Sequence, residues 1–356
     1  MKRAETETSS GLKDERKTIK CLIWDLDDTM WDGILVEDEI VNLRPQVLDI
    51  IQTLDSRGIL QSIASRNDQD KAVERLREFG LFEYFLYPQI NWNSKASSVK
   101  KIAESLNIGL DAIAFIDDQA YERAEVRYSF PDVLCIDAAD LRSLPELPEM
   151  NPRFVTEDSK ARRSMYVSDI TRNKVEEEFV GSKEEFLASL GMIFTVSSAK
   201  EDDLKRAEEL TIRTNQLNTT GYTYSFDELN KFRQSGRHKL LISSLEDKFG
   251  TYGKIGLALI ECEREIWTIK LLLMSCRVIS RGVGNILLCH ILKQAKERQV
   301  TLRAEFLSND RNRLMHITYK FGGFREHMKD GDFVIFEHDL SRIPVVPDYI
   351  EVRVSD

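Results

Sequence analysis

The stretch Asp25-Leu26-Asp27-Asp28-Thr29 follows directly on the apolar run CLIW. A carboxylate so placed can attack phosphorus and carry the phosphoryl group; a second, two residues on, can protonate the leaving oxygen and later activate water. Asp25 and Asp27 suit those two roles. Further along, Ser65 closes the apolar run LQSIAS, Lys95 lies in the polar stretch NWNSKASS, and Asp117-Asp118 close AIAFIDD. Ser65 and Lys95 can hold the phosphoryl oxygens as charge builds on them. Asp25, Asp27, Asp117 and Asp118 suit Mg2+, a hard cation that takes oxygen ligands and lets a carboxylate approach a phosphate dianion. A lone acidic turn would say little, but the ordered set Asp25, Ser65, Lys95, Asp117 predicts a phosphoaspartyl site.

A second group lies in the C-terminal half. Arg281-Gly282-Val283-Gly284 separates the strand pattern IWTIKLLLM from the helix pattern NILLCHILKQAKERQ. Backbone N–H groups of a glycine loop at a helix N-terminus attract phosphates. Cys276, near the end of that strand pattern and close to Arg277 and Arg281, reads as a thiolate-biased nucleophile, with His316 as candidate base. Cys21, Cys135, Cys262 and Cys289 sit in apolar runs and read as small buried hydrophobes. The run from Arg213 to Tyr224, RTNQLNTTGYTY, is dense in neutral donors and acceptors. From it, Asn215, Gln216 and Asn218 are expected to bind a polyhydroxylated acyl group.

The elements that must carry these residues follow from periodicity. From Ile19 onward, strand patterns alternate with short amphipathic helices, which predicts an open parallel sheet with right-handed crossovers. Ligand groups collect at the carboxyl ends of such strands, where Asp25, Ser65 and Asp117 all fall. The intervals from Asp25 to Ser65 and on to Lys95 hold a helix and a strand each, but no inserted cap domain, so the pocket is expected to be open. Such a pocket suits a bulky or tethered substrate. Trp31 is expected either at its mouth or packed beneath it. The run LPELPEMNP then breaks the pattern. The predicted division is a tail at 1–17, a parallel-sheet domain at 18–150, a helical connector at 151–190, a mixed α/β domain at 191–340 and a second tail at 341–356. Over 356 residues the net charge is −10, which disfavours binding a nucleic-acid backbone. No apolar run is long enough to span a membrane. An odd, scattered set of five cysteines fits a reducing cytoplasm better than a disulfide framework.

The four ordered motifs resemble those of the haloacid dehalogenase (HAD) superfamily. The Arg281 loop, with the later RNRLMHITYKFGGF, is similar to the GNAT acyltransferase fold, whose loop reads R/QxxGxG/A; Arg281 and Gly284 match, while Ile286 stands where a small residue is usual. That departure leaves two readings open for Arg281, Gly282 and Gly284: a coenzyme A pyrophosphate, or the pantetheine arm of a carrier protein. The fold class this implies is α/β, a capless HAD-type Rossmann-like domain followed by a GNAT-like one. Together, CLIWDLDDTMWDGIL, FLYPQINWNSK, VTEDSKARRSMY, RTNQLN and MSCRVISRGVG resemble the FkbH-like family of glyceryl transferase/phosphatases. The resemblance implies Mg2+ as cofactor, 1,3-bisphosphoglycerate as donor, and a holo acyl carrier protein as acceptor in polyketide-type biosynthesis. Docking an acidic carrier would then fall to local basic groups, for which Lys160, Arg162, Arg163, Arg172 and Lys174 are the candidates.

Overall fold

The computed structural model describes residues 18–38 and 40–355; the expected 1–17 tail lies outside them. The chain divides into two compact units, with the break between Val155 and Thr156. None of the five cysteines is disulfide-bonded. No helix among the described residues is long and apolar enough to cross a membrane.

The first unit runs β1 (Cys21–Trp24), β2 (Trp31–Asp32), β3 (Asn42–Leu43), α1 (Val47–Ser56), β4 (Leu60–Ser65), α2 (Gln69–Glu78), β5 (Gln89–Ile90), α3 (Lys95–Leu106), β6 (Ile113–Asp117), α4 (Ala120–Ser129) and β7 (Leu134–Asp137). Its sheet has the order β5-β4-β1-β6-β7 and every pairing in it is parallel. All four residues of β1 are buried, the expected consequence of helices covering both faces of a parallel sheet. Trp24 pairs with Ile63 on one side and Ile116 on the other. The chain therefore leaves β1 where the strand order reverses, and Asp25 is the next residue. Local signals fix the helix that follows the β5 turn: Ser94 caps α3 by accepting from Ser97 N at 3.2 Å, which sets Lys95 in its first turn. In the interval where a cap could be inserted, the described residues form only the two-residue pair β2 and β3 before α1.

The second unit contains α5 (Glu157–Lys160), α6 (Arg162–Glu178), α7 (Lys183–Ser189), β8 (Met192–Ser198), α8 (Leu204–Arg213), α9 (Phe226–Gln234), β9 (His238–Asp247), β10 (Gly250–Cys262), β11 (Ile266–Met274), α10 (Ile286–Glu297), β12 (Thr301–Leu307), α11 (Arg313–Phe321), β13 (Arg325–Asp330), β14 (Phe333–His338) and β15 (Ile350–Ser355). These strands make one mixed eight-stranded sheet, β13-β14-β12-β11-β10-β9-β8-β15. On one face lies a core including Ile286, Leu287, Ile291 and Leu292 of α10, and on the other a smaller core with Leu204, Ala207 and Leu210 of α8. The parallel pair β11 and β12 is in register only from Ile266–Thr301 to Ile269–Ala304, so beyond that point the two strands part.

Two stretches differ from the expected division. The 151–190 connector contains α5, α6 and α7 of the second unit, with Phe186, Leu187 and Leu190 buried in its core. The 341–356 tail contains β15, which pairs in parallel with β8 from Ile350–Met192 to Ser355–Ser197. Both segments are short or highly charged, so apolar periodicity gave little signal there. The proline-rich run does not mark the break itself: Leu144 and Met150 pack into the first core.

Candidate active site

Asp25 enters the crevice with its N–H donating to Ile116 O at 3.0 Å and its side chain buried. Lys95 Nζ forms an ion pair with Asp25 Oδ1, lies 3.1 Å from Asp117 Oδ2 and 3.0 Å from Glu122 Oε2, and donates to Ala64 O at 2.9 Å. The lysine is 2 % exposed, so this charge is held almost wholly by protein groups. Ser65, buried at the end of β4, contributes a hydroxyl hydrogen bond to Asp25. The structure thus brings together Asp25, Ser65, Lys95 and Asp117 as the sequence predicts. It adds Glu122, from the first turn of α4, as a third carboxylate on Lys95.

Thr29 accounts for the last letter of the DLDDT motif. Its Oγ1 accepts from Asp118 N at 3.0 Å, which fixes the backbone at the end of β6. Lys95 faces Asp25, Asp117 and Glu122, Arg66 lies 3.1 Å from Glu122, and Asp118 stands beside them, so two cations meet four carboxylates, an excess of negative charge that favours a bound cation. Carboxylate oxygens of Asp25, Asp117 and Asp118 lie within 4.8 Å of one another. Asp117 Oδ2 is buried, with the Lys95 ammonium 3.1 Å away. Closely spaced, largely buried hard oxygens fit Mg2+.

The titration behaviour follows from burial. Burial raises Asp25 to about 6 although Lys95 and Ser65 pull the other way. Burial, helped by the charge of Asp25, raises Asp117 to about 7 against the pull of Lys95. Burial disfavours the Lys95 charge, but Asp25, Asp117 and Glu122 outweigh it and hold that ammonium well above its ordinary value. Burial likewise opposes ionised Glu122, and Lys95 again prevails, so Glu122 lies below the ordinary range.

Asp27 is placed differently from its expected role as a side-chain metal ligand. Its Oδ1 accepts from Trp31 Nε1 at 2.8 Å and from Leu35 N at 3.1 Å, and its Oδ2 accepts from Asn67 Nδ2 at 2.9 Å. The carboxylate is thereby fixed outside the Asp25–Asp117–Asp118 oxygen cluster. Its half-burial nevertheless raises its pKa, the direction required of a proton donor. Trp31 is fully buried beneath Asp27 and orients it, so it is no wall of an open mouth. Glu122, Asn67 and Trp31 Nε1–H were not legible as site groups; the one available signal was that Asn67 and Glu122 closely follow the ends of β4 and β6.

In the second unit the expected acyl site is rearranged. Arg281 is 2 % exposed and turned onto α6, with Nη1 3.0 Å from Glu176 Oε2 and Nη2 donating to Asn173 Oδ1 at 3.1 Å. Its guanidinium therefore anchors a helix and does not face a phosphate. Gly282 and Gly284 remain exposed; Gly282 has φ +74°, and a Cβ there would meet Tyr349 Oη at 2.6 Å. Asn215 and Gln216 are exposed, but Asn218 is fully buried. Its Oδ1 accepts from Thr220 N at 3.1 Å and Gly221 N at 2.9 Å, and its Nδ2 donates to Tyr222 O at 3.3 Å, so it closes a turn. The following residue bridges the parted strands: Thr219 N donates to Leu272 O at 3.1 Å and Leu307 N donates to Thr219 O at 3.0 Å. This run fills the opening between β11 and β12, where it was expected to line an acyl pocket.

Cys276 opens a 3₁₀ turn (Cys276–Arg281) just past β11 and packs, partly buried, against the main core. His316 lies edge-on to Phe306 and Phe336 and is 3.8 Å from Glu326. Of the basic groups on the helical arm, Lys160 and Lys174 are exposed and Arg163 half-buried. Arg162 and Arg172 are buried, ion-paired with Glu209 and with Asp169 and Asp247 respectively, and leave the docking set.

No family model matches the chain. Over 164 residues, 41 % of this chain and 92 % of the other, the sequence is 26 % identical to human magnesium-dependent phosphatase 1. The structure is similar to the magnesium-bound N-terminal part, containing a phosphatase domain, of a Bacteroides fragilis protein, at 30 % identity and a TM-score of 0.35 over 38 % of this chain and 41 % of that one. It is also similar to the ribosomal-protein-S18-alanine N-acetyltransferase of Escherichia coli, at 19 % identity and a TM-score of 0.33 over 42 % of this chain and 96 % of that one.

Proposed function

We propose that this chain is a bifunctional glyceryl transferase/phosphatase. In this reading Cys276 attacks the acyl carbon of 1,3-bisphosphoglycerate, a C–S bond forms, and the acyl phosphate leaves as inorganic phosphate. The remaining phosphate ester is cleaved at Asp25. Its carboxylate attacks phosphorus, the bond to the glyceryl oxygen breaks, and Asp27 protonates that oxygen. Asp27 then takes a proton from water, which attacks the aspartyl phosphate and regenerates Asp25. Lys95 and Ser65 hold phosphoryl oxygens throughout. Asp25, Asp117 and Asp118 would hold Mg2+, which supplies charge neutralisation when bound. The glyceryl thioester finally exchanges onto the phosphopantetheine thiol of an acyl carrier protein in polyketide-type biosynthesis.

The observation that carries the phosphatase half is the buried Asp25–Lys95–Asp117 cluster at the strand-order reversal, and the likeness to a magnesium-dependent phosphatase supports it. The transferase half rests on the family resemblance and on Cys276. Mass spectrometry after incubation with the donor tests it: a glyceryl-sized adduct is expected on the wild type and absent from Cys276→Ala, and a full-yield adduct on that variant would rule the cysteine out. Asp25→Asn should abolish release of phosphate from the ester; unimpaired release would remove Asp25 as nucleophile. A second reading, a plain Mg2+-dependent phosphatase with a non-catalytic carrier-docking second unit, is favoured by the inward turn of Arg281 and by the run at Asn218 and Thr219. It expects phosphatase activity with no protein adduct.

A further inference from the structure

The Lys95 ammonium has three N–H donors and meets four acceptors: Asp25, Asp117, Glu122 and the carbonyl of Ala64. Of these, Glu122 is itself held from outside the oxygen cluster. Its Oε2 lies 3.0 Å from Lys95 Nζ, while its Oε1 accepts from Tyr121 Oη at 3.0 Å and lies 3.1 Å from Arg66 Nη1. Glu122 is 4 % exposed, whereas the Arg66 side chain keeps 35 % of its surface open to solvent. Arg66 also reaches both elements that follow the neighbouring strand ends. Its Nε donates to Asn93 O at 3.2 Å, two residues before Lys95, and its Nη2 lies 3.6 Å from Glu125 of α4. The residue directly after Ser65 therefore ties the end of β4 to the turn that starts α3 and to the first half of α4.

We propose that Arg66, acting through Glu122, is a positioning residue for Lys95 in phosphoryl transfer; the proposal rests on the phosphatase reading of Asp25. In that chemistry Asp25 attacks phosphorus and Asp117 serves the cation, so neither is free to fix the ammonium as well. Glu122 and Ala64 O remain, and the third N–H of Lys95 is left for a phosphoryl oxygen. A glutamate bound only to Lys95 would swing with it. Arg66 and Tyr121, on the other oxygen of Glu122, prevent that. Moving a charge-stabilising group by about 1 Å costs up to about 100-fold in rate, so a partly exposed arginine outside the oxygen cluster gains a kinetic role. As a surface ion pair alone it would contribute little to stability.

Steady-state kinetics of the full chain with Mg2+ and p-nitrophenyl phosphate, expressed per folded molecule, test this. Arg66→Gln should lower kcat roughly 10-fold and Glu122→Gln roughly 30-fold, with KM within about 2-fold of wild type, and Arg66→Lys should recover part of the Arg66→Gln loss. The double variant Arg66→Gln/Glu122→Gln should be no slower than Glu122→Gln alone. Arg66→Gln should likewise cost nothing further in Lys95→Met, because its effect passes through those two groups; this second cycle stands even where Glu122→Gln does not fold. Losses that multiply in the double variants would mean independent action, and a raised KM with kcat intact would mean direct contact with substrate. An unchanged kcat in Arg66→Gln would mean a structural tie alone. Each of these would overturn the proposal. Asp25→Asn separates such an outcome from failure of the phosphatase reading: turnover that vanishes in that variant keeps the reading whatever Arg66 does, and a wild type with no Asp25-dependent turnover removes both.

Discussion

The metal-free first unit holds its site carboxyls in a state that Mg2+ must undo. Asp25 is raised to about 6 and Asp117 to about 7, so protons occupy both carboxyls in mildly acid solution. Because the folded values lie above the unfolded ones, the stability these groups contribute is fully present below pH 4 and is lost as pH rises through 6 and 7. Magnesium binds the ionised pair. At pH 5.5 roughly 1 % of molecules have both carboxyls ionised, and at pH 8 roughly 90 %, giving about a 100-fold gain in apparent affinity, or ~2.7 kcal/mol.

Calorimetric titration of Mg2+ into the protein at these two pH values reads the gain directly. At pH 6.5, runs in buffers of different ionisation enthalpy should show about one proton released per ion bound. The partner experiment is Asp117→Asn. In metal-free buffer at pH 8 that variant should unfold at higher denaturant than the wild type, because it removes a buried carboxylate kept ionised at a cost, and the difference should fade by pH 5. It should also lose the Mg2+ response. Equal Mg2+ affinity at pH 5.5 and 8, with no proton release, would refute the reasoning: it would mean that Asp25 and Asp117 are ionised throughout.

Lys95→Met leaves Asp25, Asp117 and Glu122 without their shared cation, so metal-free protein should lose ~3–5 kcal/mol in denaturant unfolding, and phosphatase turnover should fall at least about 100-fold. Mg2+ should restore much of that stability and none of the turnover. Trp31→Phe deletes the 2.8 Å donor to Asp27, worth ~1 kcal/mol, so turnover should fall about 5-fold. The Asp27 limb of the pH profile should move upward, since a donor that stabilises the carboxylate is gone; an unmoved limb with the same loss of rate would mean a packing effect alone. Asn218→Ala strands the amides of Thr220 and Gly221 and should cost ~2–3 kcal/mol of second-unit stability in chemical denaturation. Second-unit stability equal to wild type would return Asn218 to the acyl-binding role its sequence context suggested.

What could be read from the sequence was what is local. Asp25, Ser65 and Asp117 each end an apolar run, and the end of a parallel strand is a functional position whatever the rest of the chain does. Lys95 follows a serine cap, another signal spanning only a few residues. Glu122 could not be placed, because its role depends on α4 and α3 bringing two side chains together 27 residues apart in sequence, and an acidic residue in a first helical turn is ordinary. Trp31 and Asp27 show the same limit. Spacing brings them close, but only the turn through Asp28, at φ 49°, aims the indole N–H at the carboxylate.

In the second unit the difficulty is one of chemistry as well as distance. Asn218 was selected because amide side chains bind hydroxylated ligands, yet the same donors and acceptors close turns, and burial decides between the uses. Arg281 matches a phosphate-loop pattern, yet Glu176, 105 residues earlier, takes its guanidinium. Arg162 and Arg213 are alike in this. Each looked like a surface or loop residue by itself, and only their meeting at Glu209, 47 residues along the chain from Arg162, shows that both turn inward.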